Sequence, residues 1–192
     1  MNRTMKAFFF FLALTLFCPW KTVCAEKPVI KAEIRRLPPS VFTMLPPTIR
    51  HALETRSCTI PQSYDNATLH NVISGEFINK GQQDWAVLCS RNGSSSILVF
   101  LSGSANKILK LDTSRDDEWF QSIGSGQYGF SRLIMVASKE QIEGYNDYAK
   151  EFTDEPDLPL LTHDGIDQFF VNKASTVRYY YKGQWLNLSG AD

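Results

Sequence analysis

From residue 72 onward, apolar residues fall in short runs separated by turn-forming residues, the pattern of strands joined by hairpins. Val72 to Ile78 alternates, Trp85 to Ser90 is nearly continuous apolar, and Ile97 to Leu101 resumes after Asn92-Gly93. That dipeptide predicts a tight hairpin, because both residues accept positive φ. Runs apolar on both sides belong to central strands covered on two faces. Further strands are predicted at Ile108 to Leu111 and Ser131 to Ala137. Residues 112–130 are polar and glycine-rich and read as a long loop. Residues 140–152 have a helical composition weakened by Gly144, and residues 154–165 form a proline-punctuated loop. The last segment predicts a hairpin around Lys182-Gly183. It pairs Tyr181 with Gln184, Tyr180 with Trp185, Tyr179 with Leu186 and Val177 with Leu188. One face then carries Val177, Tyr179, Leu186 and Leu188, a core face. The other carries Arg178, Tyr180, Trp185 and Asn187.

Before residue 72 the pattern is different. Val29, Ile30, Ile34 and Leu37 suggest a strand or extended arm. One helical turn is expected from Pro39, stopped by Pro46. A short helix follows from Pro47 to Arg56, with Ile49, Ala52 and Leu53 on one face. The fold class this predicts is β-rich α+β: an antiparallel sheet of hairpins with short N-terminal helices in a single domain, residues 26–192.

Residues 1–25 lie outside that domain. Arg3 and Lys6 precede an uncharged apolar run from Ala7 to Cys18, and Val23 and Ala25 are small residues at a cleavage position. This is the make-up of a secretory signal peptide, too short in its apolar run for a comfortable bilayer span. The mature chain is therefore expected to be periplasmic or secreted, with no membrane attachment after cleavage. The leader removes Arg3, Lys6 and Lys21 from 20 basic residues and nothing from 20 acidic ones, leaving the mature chain three charges negative. A nucleic-acid binder would carry a basic stripe, and none is present.

The leader also takes Cys18 and Cys24, so Cys58 and Cys89 remain. In an exported chain a lone pair is most simply one disulfide. It would staple the short helix to the sheet and contribute roughly 3 to 4 kcal/mol by chain entropy.

The stretch GEFINKGQQDWAVL resembles an FG-GAP or VCBS-type repeat over residues 71–100, matching it at Gly75, Phe77, Gly81, Asp84, Ala86 and Val87. In that family, alternating oxygen ligands hold calcium. Glu76 and Asp84 stand at the first and last ligand positions, but Ile78 and Lys80 occupy the places between. Ile78 has no oxygen to give and Lys80 brings a like charge, so no metal and no other cofactor is expected. What the resemblance implies is a scaffold: a turn at Gly81, an Asp84 that bonds loop amides, and a Lys80 that tethers Glu76 or Asp84. Most of the remaining chain, from CTIPQ to the ending HDGIDQFFVNKAS and YYYKGQWLNLSGAD, resembles an uncharacterised family of exported bacterial proteins. That resemblance implies fold and compartment, and no activity.

Candidate chemistry is sparse. His163, Asp164 and Asp167 gather one imidazole and two carboxylates in LTHDGIDQFF, enough for an acid-base pair, although a polar loop is the plainer reading. His51 is expected to be exposed. No nucleophile elbow is present, and the glycines of GSGQYG lack the Lys-Ser/Thr of a phosphate loop. Arg178, Tyr180 and Trp185 are the residue types that anchor a sugar, a peptide or a protein partner. These features predict a non-enzymatic binding or structural module whose partner is a protein or a glycan, and not a nucleic acid. The alternatives are a hydrolase centred near His163, Asp164 and Asp167, or an inhibitor of a secreted enzyme that presents a protruding loop.

Overall fold

Two antiparallel four-stranded sheets lie face to face, with a helix covering the outer surface of each. The structure, a computed structural model, describes residues 33–192. The expected signal peptide, residues 1–25, and the arm residues Val29 and Ile30 fall outside the described residues.

A short strand β1 (Arg36–Leu37) pairs with β2 (Ile60–Pro61). Between them come a 3-10 turn (Pro39–Val41) and helix α1 (Pro47–Thr55), which begins on a proline as its missing N–H allows. The first large sheet runs in chain order: β3 (Val72–Gly75), β4 (Asp84–Arg91), β5 (Ser94–Phe100) and β6 (Ile108–Arg115). A two-stranded hairpin follows, β7 (Phe120–Gly124) with β8 (Gln127–Phe130). The second sheet comprises β9 (Arg132–Ala137), β10 (Gly165–Phe170), β11 (Ala174–Tyr181) and β12 (Gln184–Ser189), again in meander order. Helix α2 (Lys139–Lys150) connects β9 to the arm that leads into β10.

The continuous apolar runs are explained by this layering. On β5, Leu98 and Phe100 face α1, where they meet Ile49, Leu53 and the two cysteines. Ile97 and Val99 face the second sheet, where they meet Ile134 and Ile166. Each residue of the run is buried because each face has a cover. The Cys58–Cys89 disulfide lies in the α1 layer and bridges 31 positions of chain, with Cα atoms 5.3 Å apart. Beyond the second sheet, Val177, Tyr179 and Leu188 pack with Ile142 of α2, and the β11–β12 register follows the expected pairs from Tyr181–Gln184 to Val177–Leu188. Both two-residue turns adopt positive φ, at Asn92 and Gly93 and at Lys182 and Gly183.

Two expectations are corrected and one ambiguous reading is resolved. Residues 112–130 are not a long loop: β6 continues to Arg115, and β7 and β8 form a hairpin of their own. These are edge or peripheral strands with one wet face, so polarity masked them. The segment from Gly165 is not a loop capping the next element but the strand β10, flanked by β9 and β11. Its buried Asp167 and Gln168 hid it. Residues 139–150 form a full helix despite Gly144, because Ser138 and Gln141 close a capping box at its start.

The β3 and β9 edges of the two sheets are joined by the Asn71 side chain. Asn71, with φ 66°, donates from Nδ2 to the carbonyls of Pro61 (2.6 Å) and Arg132 (3.1 Å), and its Oδ1 accepts from Ile134 N–H (2.9 Å). The amide completes the open edge of β9 where a further strand would otherwise pair.

Candidate functional site at the intersheet edge

The face of the last hairpin that carries Arg178, Tyr180 and Trp185 turns toward the first sheet, not toward open solvent. Trp185 packs at the edge of the intersheet core, and Tyr180 meets it edge-on with ring centroids 5.4 Å apart. Arg178 reaches across to β6. Its Nε lies 2.5 Å from Asp112 Oδ2, and the side chains are 14% and 28% exposed. The N–H does not point along this contact, so the two atoms form an ion pair but neither has a hydrogen bond. Arg178 also donates from Nη1 to Asn187 on β12. The Trp185 indole N–H is buried without an acceptor.

Asp112 reaches this place through a bulge. The β5–β6 register shifts between the Ser95–Ser114 and Ile97–Leu111 pairs, so Asp112 and Thr113 together stand opposite Ser96. Asp112 takes φ 45°, unusual for a residue with a side chain. The bulge frees its carbonyl from the ladder, and Arg132 Nη2 donates to that oxygen at 2.6 Å.

Arg132 is the charged residue at the centre of the site. It is fully buried between the sheets. Nη1 donates to the Ser95 carbonyl and to the hydroxyls of Ser95 and Ser114, and Nη2 also donates to Gln168 Oε1 at 2.8 Å. Its guanidinium lies 4.7 Å from the centre of the Trp119 ring. Burial pushes its pKa down to about 10, against the pull of Asp112 and Asp116 in the other direction. Arg132 thus fixes the bulge, and the bulge fixes the carboxylate that meets Arg178.

Close by, Asp116 Oδ2 accepts from Arg36 Nη2 (2.8 Å) and from the Ser90 hydroxyl (2.6 Å) at one side of a cleft of about 530 Å³. Ser90 is buried behind this carboxylate and does not itself line the cleft.

His163, Asp164 and Asp167 do not converge. The His163 ring stacks on Tyr179 with centroids 4.4 Å apart, and its two nitrogens face the carbonyl oxygens of Asp164 (2.9 Å) and Tyr180 (3.0 Å). Neither nitrogen is free for a metal or a substrate. Asp164 is spent on the first sheet: Oδ2 accepts from Glu76 N–H, and Asp164 N–H donates to the Glu76 carbonyl, both at 3.0 Å. Asp167 is buried on the α2 side of β10. Burial raises its pKa, offset in part by the neighbouring Ser175 and Tyr145 hydroxyls, and its Oδ1 has no hydrogen-bond partner. Among the described residues no cluster of three or more His, Cys, Asp or Glu is arranged to hold a metal ion.

The loop before β4 is held by Asp84. Its Oδ2 accepts from Ile78 N–H (3.1 Å), and its Oδ1 accepts from Gln82 Nε2 (2.7 Å) and Ser102 N–H (2.8 Å). Gly81 turns with φ 79°. The expected Lys80 tether is not seen: Lys80 is exposed and enters no ion pair among the described residues. Two backbone amides and a side-chain amide donate to the buried carboxylate. His51 is exposed on α1.

Asp112 and Arg132 had no distinguishing signal in the sequence. Both are isolated from the hairpin by tens of residues and meet it only when the sheets stack. No family model, no curated protein and no solved structure matches this chain.

Proposed function

We propose that this protein is an exported, non-enzymatic binding module whose ligand meets the edge where Asp112, Arg178, Tyr180 and Trp185 gather. One observation carries the reading. Asp112 is held at positive φ in a bulge, against an arginine with which it makes no aligned hydrogen bond, while the Trp185 indole beside this edge lacks an acceptor. A strained bulge beside a partly exposed ion pair and two aromatic rings is what a site kept for a ligand looks like. Tyr, Trp and Arg supply rigid contact area of the kind that stacks on sugar rings, which favours an oligosaccharide. Export is supported by the leader-like residues 1–25 and by a disulfide that an oxidising compartment preserves.

The hydrolase reading draws less support, because the three residues do not converge: His163 and Asp164 are engaged by backbone groups and Asp167 is buried on the α2 side. The inhibitor reading draws on the β7–β8 hairpin, which stands outside both large sheets and exposes Ile123 near its turn.

Tryptophan fluorescence titrated with glucose and N-acetylglucosamine oligomers, and with unstructured peptides, tests the proposal. Saturable binding of the oligosaccharides is expected, weakened at least about tenfold in Tyr180→Ala. Ester, glycoside or peptide hydrolysis that vanishes in His163→Ala would replace this reading with the hydrolase. Binding untouched by Tyr180→Ala and Arg178→Ala would remove the site.

A further inference from the structure

The C-terminal end of α2 exposes aromatic surface that the fold leaves uncovered. Tyr148 and Phe152 are four residues apart on adjacent turns, their rings 5.1 Å apart, and they are 54% and 69% exposed. Leu160, further along the arm, is 74% exposed. Exposed apolar surface is ordinary when scattered, but a paired aromatic patch is not.

The patch is held in place. Phe152 N–H and Thr153 N–H both donate to the Ala149 carbonyl, and the Thr153 hydroxyl does the same at 2.9 Å. The buried Asn146 donates to Pro156 O and draws the arm back against the helix. An aromatic pair fixed in the exposed position loses little freedom when it is covered.

Its surroundings have one sign. Asp147, Glu151, Asp154, Glu155 and Asp157 fall between residues 147 and 157, where the sole base is Lys150. Lys150 is already paired with Asp157 at 3.0 Å. A groove of about 420 Å³ continues the patch from Phe152 toward β12. Glu155 and Asp192 are the charged residues along it, with no Lys or Arg. A second copy of the same surface would bring acid against acid, and an anionic membrane would be repelled.

We propose that Tyr148, Phe152 and this groove are a docking surface for a basic protein segment that carries bulky apolar anchors. The aromatic pair supplies the contact area that dominates affinity, and the acidic collar selects and steers a cationic partner. This surface belongs to the α2 layer, separate from the intersheet edge, and stands whether or not that edge binds an oligosaccharide.

The mature protein is titrated with three synthetic peptides of equal length: amphipathic Lys/Leu, amphipathic Glu/Leu, and Lys/Ser with the charge of the first. Saturable binding of the Lys/Leu peptide is expected, at least about tenfold tighter than either control and weakened by salt. Phe152→Ser should reduce it at least about tenfold. That residue is exposed, and an unchanged circular dichroism spectrum will confirm that the variant folds. Equal binding of the Glu/Leu peptide, equal binding of Lys/Ser, or no effect of Phe152→Ser each overturns the proposal. So does self-association that Phe152→Ser abolishes, which would make the occupant a second copy.

Discussion

Breaking the Cys58–Cys89 bond should lower the stability of the mature protein by about 3.7 kcal/mol. The bond spans 31 positions of chain, and the chain-entropy relation gives about 12 cal/mol/K for a loop of that length, or about 3.7 kcal/mol near room temperature. For a domain of this size the loss corresponds to a fall in Tm of about 7 to 15 °C. The native state should barely change. Both cysteines are buried between α1 and the first sheet, and α1 remains fixed there by Ile49, Ala52 and Leu53. The paired Cys58→Ala and Cys89→Ala variant is the cleaner test, since serine would bury two new hydroxyls. Urea unfolding of this variant, of the oxidised protein and of the reduced protein gives the three stabilities. Near-UV circular dichroism reports whether packing survives. A loss under about 1 kcal/mol with packing intact, or two free thiols titrated in the unreduced protein, would refute this role for the bond.

Two further outcomes follow from buried polar groups. Asn71→Gly keeps the positive φ but removes three buried hydrogen bonds, two to β9 and one to Pro61 of β2, so urea unfolding should show a loss of about 3 kcal/mol. A loss under about 1 kcal/mol would mean that water replaces the amide. Asp167 titrates above the usual carboxylate range because it is buried. Such a group costs nothing in strong acid, where folded and unfolded chains both hold the proton. Its cost grows as pH rises through the ordinary carboxylate range, since the unfolded chain ionises first, and is complete above the folded-state value. Asp167→Asn should therefore gain stability relative to the parent as pH rises from strong acid to neutrality, and a pH-independent difference would refute this.

Much of the fold was legible because local chemistry and period agreed. Asn92-Gly93 and Lys182-Gly183 accept the positive φ of tight turns, so both hairpins and the register of the second could be read directly. Two cysteines left after the leader made the disulfide the simplest pairing, and Ile97 to Leu101 announced a strand covered on two faces. β10 was hidden because its Asp167 and Gln168 look like loop residues, and they are tolerated only because Tyr145, Ser175 and Arg132 meet them from other elements. The β7–β8 hairpin was hidden because an edge with one wet face has little apolar signal.

The sequence by itself determined the periodicities, the turns, the bridge and the residue types available at the hairpin face, since each is set within a few residues of chain. Only the stacking of the two sheets decided what that face meets. It brought Asp112 against Arg178, buried Arg132 beneath the bulge, and sent His163, Asp164 and Asp167 to separate partners. These are contacts between residues far apart in the chain, and a buried charge or amide takes its meaning from the groups that satisfy it, which no local pattern encodes.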